Sequence, residues 1–166
     1  LINMVYQNHM GVWMNREDWI KNVIIVSGGF DPVHKGHIRM FREAANFGAN
    51  VIVGLNSDEW LTRKKGKPFM EWEERAEILE SCKFINQVIS FDDSDDTAND
   101  AIKRVFDMYN ADSSDYNIYF ANGGDRKLGN VPEFDNCREL GVVMLWNFGG
   151  GKIQSSSWLI NGEKND

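Results

Sequence analysis

The sequence predicts an α/β fold built on a doubly wound, five-stranded parallel sheet, and three observations predict it. Short apolar runs rich in β-branched or aromatic residues recur at 22 to 27 (NVIIVS), 50 to 55 (NVIVGL), 87 to 91 (QVISF), 116 to 121 (YNIYFA) and 142 to 146 (VVMLW). Each is bounded by polar residues or Gly, as buried strands are. Segments with helical spacing fall between them, and such alternation favours parallel strands joined by right-handed crossovers with helices on both faces. A chain of 166 residues with 42% hydrophobic composition is also the right size for one domain with its own core.

Taken in order, residues 1 to 21 precede the first strand and carry Trp13 and Trp19. They predict a short helical arm that covers the core or a neighbouring subunit, ahead of a domain over 22 to 166, with His9 a surface residue. Between the first two strands, Ile38, Phe41 and Ala45 share a helical face, and between the second and third so do Trp72, Ala76 and Leu79. Ala101, Ile102, Val105 and Phe106 predict a third helix, and PEFDNCREL a shorter one. The acidic run FDDSDDTAND at 91 to 100 reads as a solvated loop whose carboxylates favour the N-terminus of the next helix. Its ligand spacing is not that of a calcium loop.

The balance of charge narrows the choice of partners. A formal net charge of -7 and a pI near 5.0 argue against a nucleic-acid polymer, because counterion release rewards broad basic surfaces. Cys82 and Cys137 lie far apart, form no C-x-x-C and fall in stretches that read as helical, so they are expected to be reduced core cysteines of a cytoplasmic protein. No run approaches the ~18 apolar residues of a membrane span and no signal peptide is recognisable. A soluble, unexported protein with no membrane partner is expected.

The chemistry concentrates in GGFDPVHKGH at 28 to 37. Gly28 and Gly29 end the first strand, Asp31-Pro32 makes a turn, and His34 and His37 stand at i and i+3 at the start of a helix. A helix N-terminus offers free N–H groups and the positive end of its dipole, so two histidines there can both direct a ring N–H at one polyphosphate. Gly36 removes a side chain that would block the approach. In the plainer alternative, one histidine caps the helix and the other packs on the sheet. Neither a P-loop nor a G-x-G-x-x-G fingerprint is present, and nothing suggests a covalent nucleophile.

Four further segments carry candidate residues. Arg63, Lys64, Lys65 and Lys67 form the densest positive charge, with Gly66 and Pro68 shaping an expected mobile loop that could close over a triphosphate. Arg75 can pair with Glu71 on its own helix or reach phosphates. Asp58 and Asp125 each follow a strand's carboxyl end, where a carboxylate can orient a hydroxyl or cap a turn. Ser155, Ser156 and Ser157 precede an apolar stretch, so at least one is expected as an N-cap, with hydroxyls and amides there also able to hold phosphates.

The string G-x-F-D-x-x-H-x-G-H after a strand resembles the H-x-G-H nucleotidyltransferase superfamily, in particular the cytidylyltransferase-like family. GLNSDEW (54 to 60), RKKGKPFMEWEER (63 to 75), NGGDR (122 to 126) and QSSSWLI (154 to 160) are similar to its later landmarks and fall in its order. The resemblance implies a Rossmann-like sheet of order 3-2-1-4-5 and transfer of CMP or AMP from a nucleoside triphosphate to a phosphorylated sugar or polyol, releasing pyrophosphate. It further implies His34, His37, Lys64 and Lys67 as catalytic residues. Gly28, Gly29, Phe30, Gly36, Arg75, Gly124, Asp125, Ser155, Ser156 and Ser157 would bind nucleotide, and Asp58 the acceptor. No metal ligand from the protein is expected, since Mg²⁺ would travel with the triphosphate, and a homodimer is implied. Glycerol-phosphate cytidylyltransferases carry an arginine where this chain has Gly150, for which Lys152 substitutes in part; its absence leans toward the heptose-phosphate, ATP-using type. GGFDPVH also resembles the nicotinamide-mononucleotide adenylyltransferases. A catalytically silent nucleotide sensor on the same fold is the alternative of a different class.

Overall fold

The computed structural model describes residues 5 to 7, 13 to 15, 21 to 110, 115 to 123, 126, 127 and 129 to 162. Its centre is a five-stranded, all-parallel sheet made of β3 (Asn22–Gly28), β4 (Asn50–Leu55), β5 (Gln87–Ile89), β6 (Asn117–Gly123) and β7 (Val143–Phe148), in the spatial order β5-β4-β3-β6-β7. Counting only these strands, the order is the expected 3-2-1-4-5. β5 is shorter than its apolar run, because Phe91 leaves the ladder and packs in the core at 7% exposure.

Although β3 reads as a continuous apolar run, its side chains divide with a period of two. Ile24 and Val26 join Phe41 and Ala44 of α1 (Lys35–Asn46) and Ala76 and Leu79 of α3 (Trp72–Glu80) on one face. Val23 and Ile25 join Ile102 and Val105 of α4 (Asn99–Asn110) and Cys137 of α5 (Phe134–Leu140) on the other. The strand is apolar throughout because both faces are covered. Strand order reverses beside β3, which pairs with β4 on one side and β6 on the other. That reversal opens a crevice at the strands' carboxyl ends.

Three local expectations are corrected. Residues 58 to 65 form a helix, α2 (Asp58–Lys65), so Arg63, Lys64 and Lys65 are its last turn rather than part of a mobile loop. Ser57 caps its start by accepting from Trp60 N, and basic side chains near its C-terminus suit the helix dipole. In the segment expected to form a helical arm, the described pieces are strands, β1 (Val5–Gln7) and β2 (Trp13–Asn15), paired antiparallel; His9 and Trp19 lie outside the described residues. Cys82 lies beyond the end of α3, whereas Cys137 is within α5, where burial pushes its thiol up to about 12. Both cysteines are free.

Candidate active site

The β3–α1 turn builds the centre of the crevice. Phe30, at φ 47°, folds its ring back under the strand end, where a Cβ on Gly28 would come within 3.0 Å of it. The ring meets His37 edge-on at a centroid distance of 4.8 Å. His34 is the N-cap of α1 and His37 its N3 residue: His34 Nδ1 accepts from Gly36 N at 3.2 Å, and His34 N donates to His37 Nδ1 at 3.3 Å. This is the reciprocal arrangement of a capping box, made by two imidazoles. Gly36 makes room for that cap, since a Cβ would sit 3.1 Å from the His34 ring, closer than ordinary van der Waals contact.

Both caps consume Nδ1 as an acceptor. In a neutral imidazole the other nitrogen then carries the proton, so each ring presents Nε2–H as a donor. Neutrality is enforced by the surroundings. Burial, the neighbouring His34 and the Lys65 charge pull His37 down to about 3. Burial, Lys65 and Lys152 lower His34, outweighing its backbone hydrogen bond. The rings stack at 3.7 Å with an interplanar angle of 19°. Capping and ligand binding are therefore not alternatives, because they use opposite edges of the same rings.

A cleft of about 420 Å³ opens over this pair. Lys65 from the end of α2, Arg126 beyond β6, the Gly149–Lys152 segment beyond β7 and Ser155–Ser157 line it with the histidines. Ser155 is the N-cap of α6 (Ser156–Asn161) and accepts from Trp158 N at 3.2 Å. Ser156 is buried and donates from Oγ to Pro32 O at 2.8 Å, tying α6 to the β3–α1 turn, while Ser157 is exposed. Asp31, 1% exposed, holds the segment after α2: its carboxylate accepts from Phe69 N at 2.7 Å and Met70 N at 2.8 Å.

The structure thus brings His34, Gly36, His37, Ser155, Ser156 and Ser157 together, with Gly28, Gly29 and Phe30 ending the strand beneath them. It separates others. Lys64 turns away to Asp96, with Nζ 3.3 Å from Oδ2 and 5.8 Å from the Trp60 ring, and Lys65 takes the place beside the histidines. Lys67 lines an adjoining cavity of about 330 Å³ with Lys65, Phe69 and Ser157. Arg75 neither pairs with Glu71 nor enters the cleft. Its side chain is fully buried, donating to Gly29 O at 2.7 Å, Asn56 O at 2.9 Å, Met70 O at 3.0 Å and Asp58 Oδ1 at 2.6 Å. Asp58 is engaged there and also accepts from Trp72 N. Gly124 and Asp125 lie outside the described residues.

Arg126 and Asp31 were not singled out by the sequence, and Lys65 was named only within its cluster. The signal for Asp31 was its place in the motif; for Lys65 it was the helical phase of α2, hidden while the segment read as a loop. Among the described residues no group of three side chains could hold a metal ion, and the described lining of the cleft contains no carboxylate. The donor set fits an anion, and a divalent cation would be held there by phosphate oxygens.

The profile of a family described as cytidylyltransferase-like matches residues 25 to 148. The bifunctional protein HldE of Geobacter sulfurreducens is 40% identical over 75 residues, covering 44% of this chain and 15% of that protein. The ethanolamine-phosphate cytidylyltransferase of Arabidopsis thaliana is 34% identical over 89 residues, covering 54% and 21%. The matched stretch thus spans about a fifth or less of these curated relatives. In structure, a lipopolysaccharide core biosynthesis protein from Thermoplasma volcanium superposes with a TM-score of 0.57 at 20% identity, over 75% of this chain and 93% of that one. The shared fold is Rossmann-like.

Proposed function

Because the chain belongs to the cytidylyltransferase-like family, we propose that its cleft transfers CMP or AMP from a nucleoside triphosphate to a phosphorylated sugar or polyol, releasing pyrophosphate. One observation carries this reading: His34 and His37 both spend Nδ1 as an acceptor in the α1 cap, which leaves Nε2–H as the donor of each neutral ring, and both line one cleft with Lys65. An acceptor phosphate is already an anion at neutral pH, so attack on the α-phosphorus needs no general base. Rings whose free edge bears a hydrogen cannot supply one there. What they supply is directed hydrogen bonding to the α-phosphate and the departing oxygens as charge develops. The α1 amides and the α6 N-terminus add fixed partial positive charge, and Lys65 follows the bridging oxygens. Mg²⁺ would enter on the triphosphate and shield its charge.

The test is pyrophosphate release with CTP and with ATP across a panel of phosphorylated sugars and polyols. Release is expected with at least one pair, and His37→Ala is expected to lower turnover by about 10²- to 10³-fold, the usual loss for one transition-state donor. A folded H37A protein with wild-type turnover would remove the imidazoles from the chemistry. Nucleotide binding with no release from any pair would make the chain a sensor.

A further inference from the structure

The cleft lining carries Lys65 and Lys152, whose charges both bear on His34. It also carries an uncharged stretch, Gly123 and Phe148, paired across β6 and β7, with Met40 and Gly149–Gly151. A Cβ at Gly150 or Gly151 would meet nothing within 4 Å, so no side chain crowds the chain beyond Phe148. Such a surface suits an uncharged ring system.

Arg126 lines the same cleft, half-exposed, beside the end of β6, and two hydrogen bonds hold it. Its Nη1 donates to Glu133 Oε2 at 3.3 Å, and its backbone N donates to Gly123 O at 3.1 Å. The Glu133 side chain is 2% exposed, and its Oε1 accepts from Ala98 N at 2.8 Å, just ahead of α4. A buried carboxylate fixed at a helix start therefore aims a guanidinium at the rim. Arginine has five N–H donors and no acceptor, so a fork engaged by one bond keeps donors for a ligand. A lone surface pair would not need a carboxylate taken out of water to make it.

We propose that Arg126, positioned by Glu133, is the nucleoside-recognition residue, donating to ribose and base acceptors of the bound nucleoside triphosphate rather than to its phosphates. The assignment rests on the nucleotidyl-transfer reading. It is tested by titration calorimetry of the full chain with CTP, ATP and inorganic tripolyphosphate, each with Mg²⁺. Arg126→Ala is expected to raise the Kd of the preferred nucleotide about 10- to 100-fold, as loss of one or two charge-assisted hydrogen bonds does. Tripolyphosphate should change by less than about twofold, since its contacts stay intact.

Glu133→Gln should show the same selective loss more weakly, because the amide still accepts from Ala98 N but turns N–H toward the guanidinium. Arg126→Ala strands a buried carboxylate, so the double variant Arg126→Ala/Glu133→Gln gives the same ratio if the single one fails to fold. An equal loss for CTP and ATP assigns the contact to ribose, and an unequal loss assigns it to the base. Equal weakening of tripolyphosphate, or an unchanged nucleotide Kd, overturns the proposal. Selective loss without pyrophosphate release from any substrate pair would overturn nucleotidyl transfer and leave the recognition role standing.

Discussion

Lys64 and Lys65 are neighbours in sequence but about 100° apart around the axis of α2. That angle sends Lys64 to Asp96 and Lys65 to the histidines. The Lys64 pair is nearly half-exposed on both sides, where solvent screens an ion pair and leaves it contributing little. Lys65→Ala is therefore expected to lower kcat/KM by about 10²-fold, while Lys64→Ala stays within about threefold of wild type, the loss scaling with contact to developing charge. Pyrophosphate-release kinetics on the two variants decide it, and the opposite ranking would return the role to Lys64. Which lysine faces the cleft could not be read from RKKGK, because composition alone did not mark 58 to 65 as helical. Arg75 was illegible for a different reason: the carbonyls of Gly29, Asn56 and Met70 that hold it come from three separate segments. The histidine pair was legible because cap, spacing and ligand edge are all local to four residues.

Between elements, the link that matters most to the site is the Asp31 carboxylate, which joins the β3–α1 turn to the segment after α2. Asparagine in its place would offer one acceptor and one donor to two backbone N–H groups. One of those amides would lose its partner, a change that typically costs about 1 to 3 kcal/mol when the group is buried. Asp31→Asn should speed hydrogen exchange at Phe69 and Met70 by about tenfold or more, an opening free energy lowered by at least about 1.4 kcal/mol, while β3 keeps its protection. Unchanged exchange at both amides would place the clamp elsewhere. The five strands themselves were evident as apolar runs, since a sheet covered on both faces leaves no polar alternation to confuse the reading. The β1–β2 pair was missed because three-residue strands carry too little pattern to tell from a helical turn.

For the molecule as a whole, the neutral His37 links stability to pH. An unfolded histidine takes up a proton near 6.5, whereas the folded His37 resists until about 3. Between those values the unfolded chain binds more protons, so this contribution is complete above about 6.5 and is lost as pH falls toward 3. Tm should climb from pH 4 to 6.5 more steeply in wild type than in His37→Asn, and parallel slopes in the two proteins would mean that the ring is protonated without penalty. The same sheet order that sets the core also sets where the crevice lies, at the carboxyl ends of β3 and β6, and this was foreseeable from strand alternation together with the family landmarks.

The bond from Ser156 to Pro32 joins residues 124 positions apart and leaves that hydroxyl's hydrogen committed to a backbone carbonyl. The last short helix is thereby moored to the segment that carries the imidazoles, so two stretches from opposite ends of the fold keep a common frame.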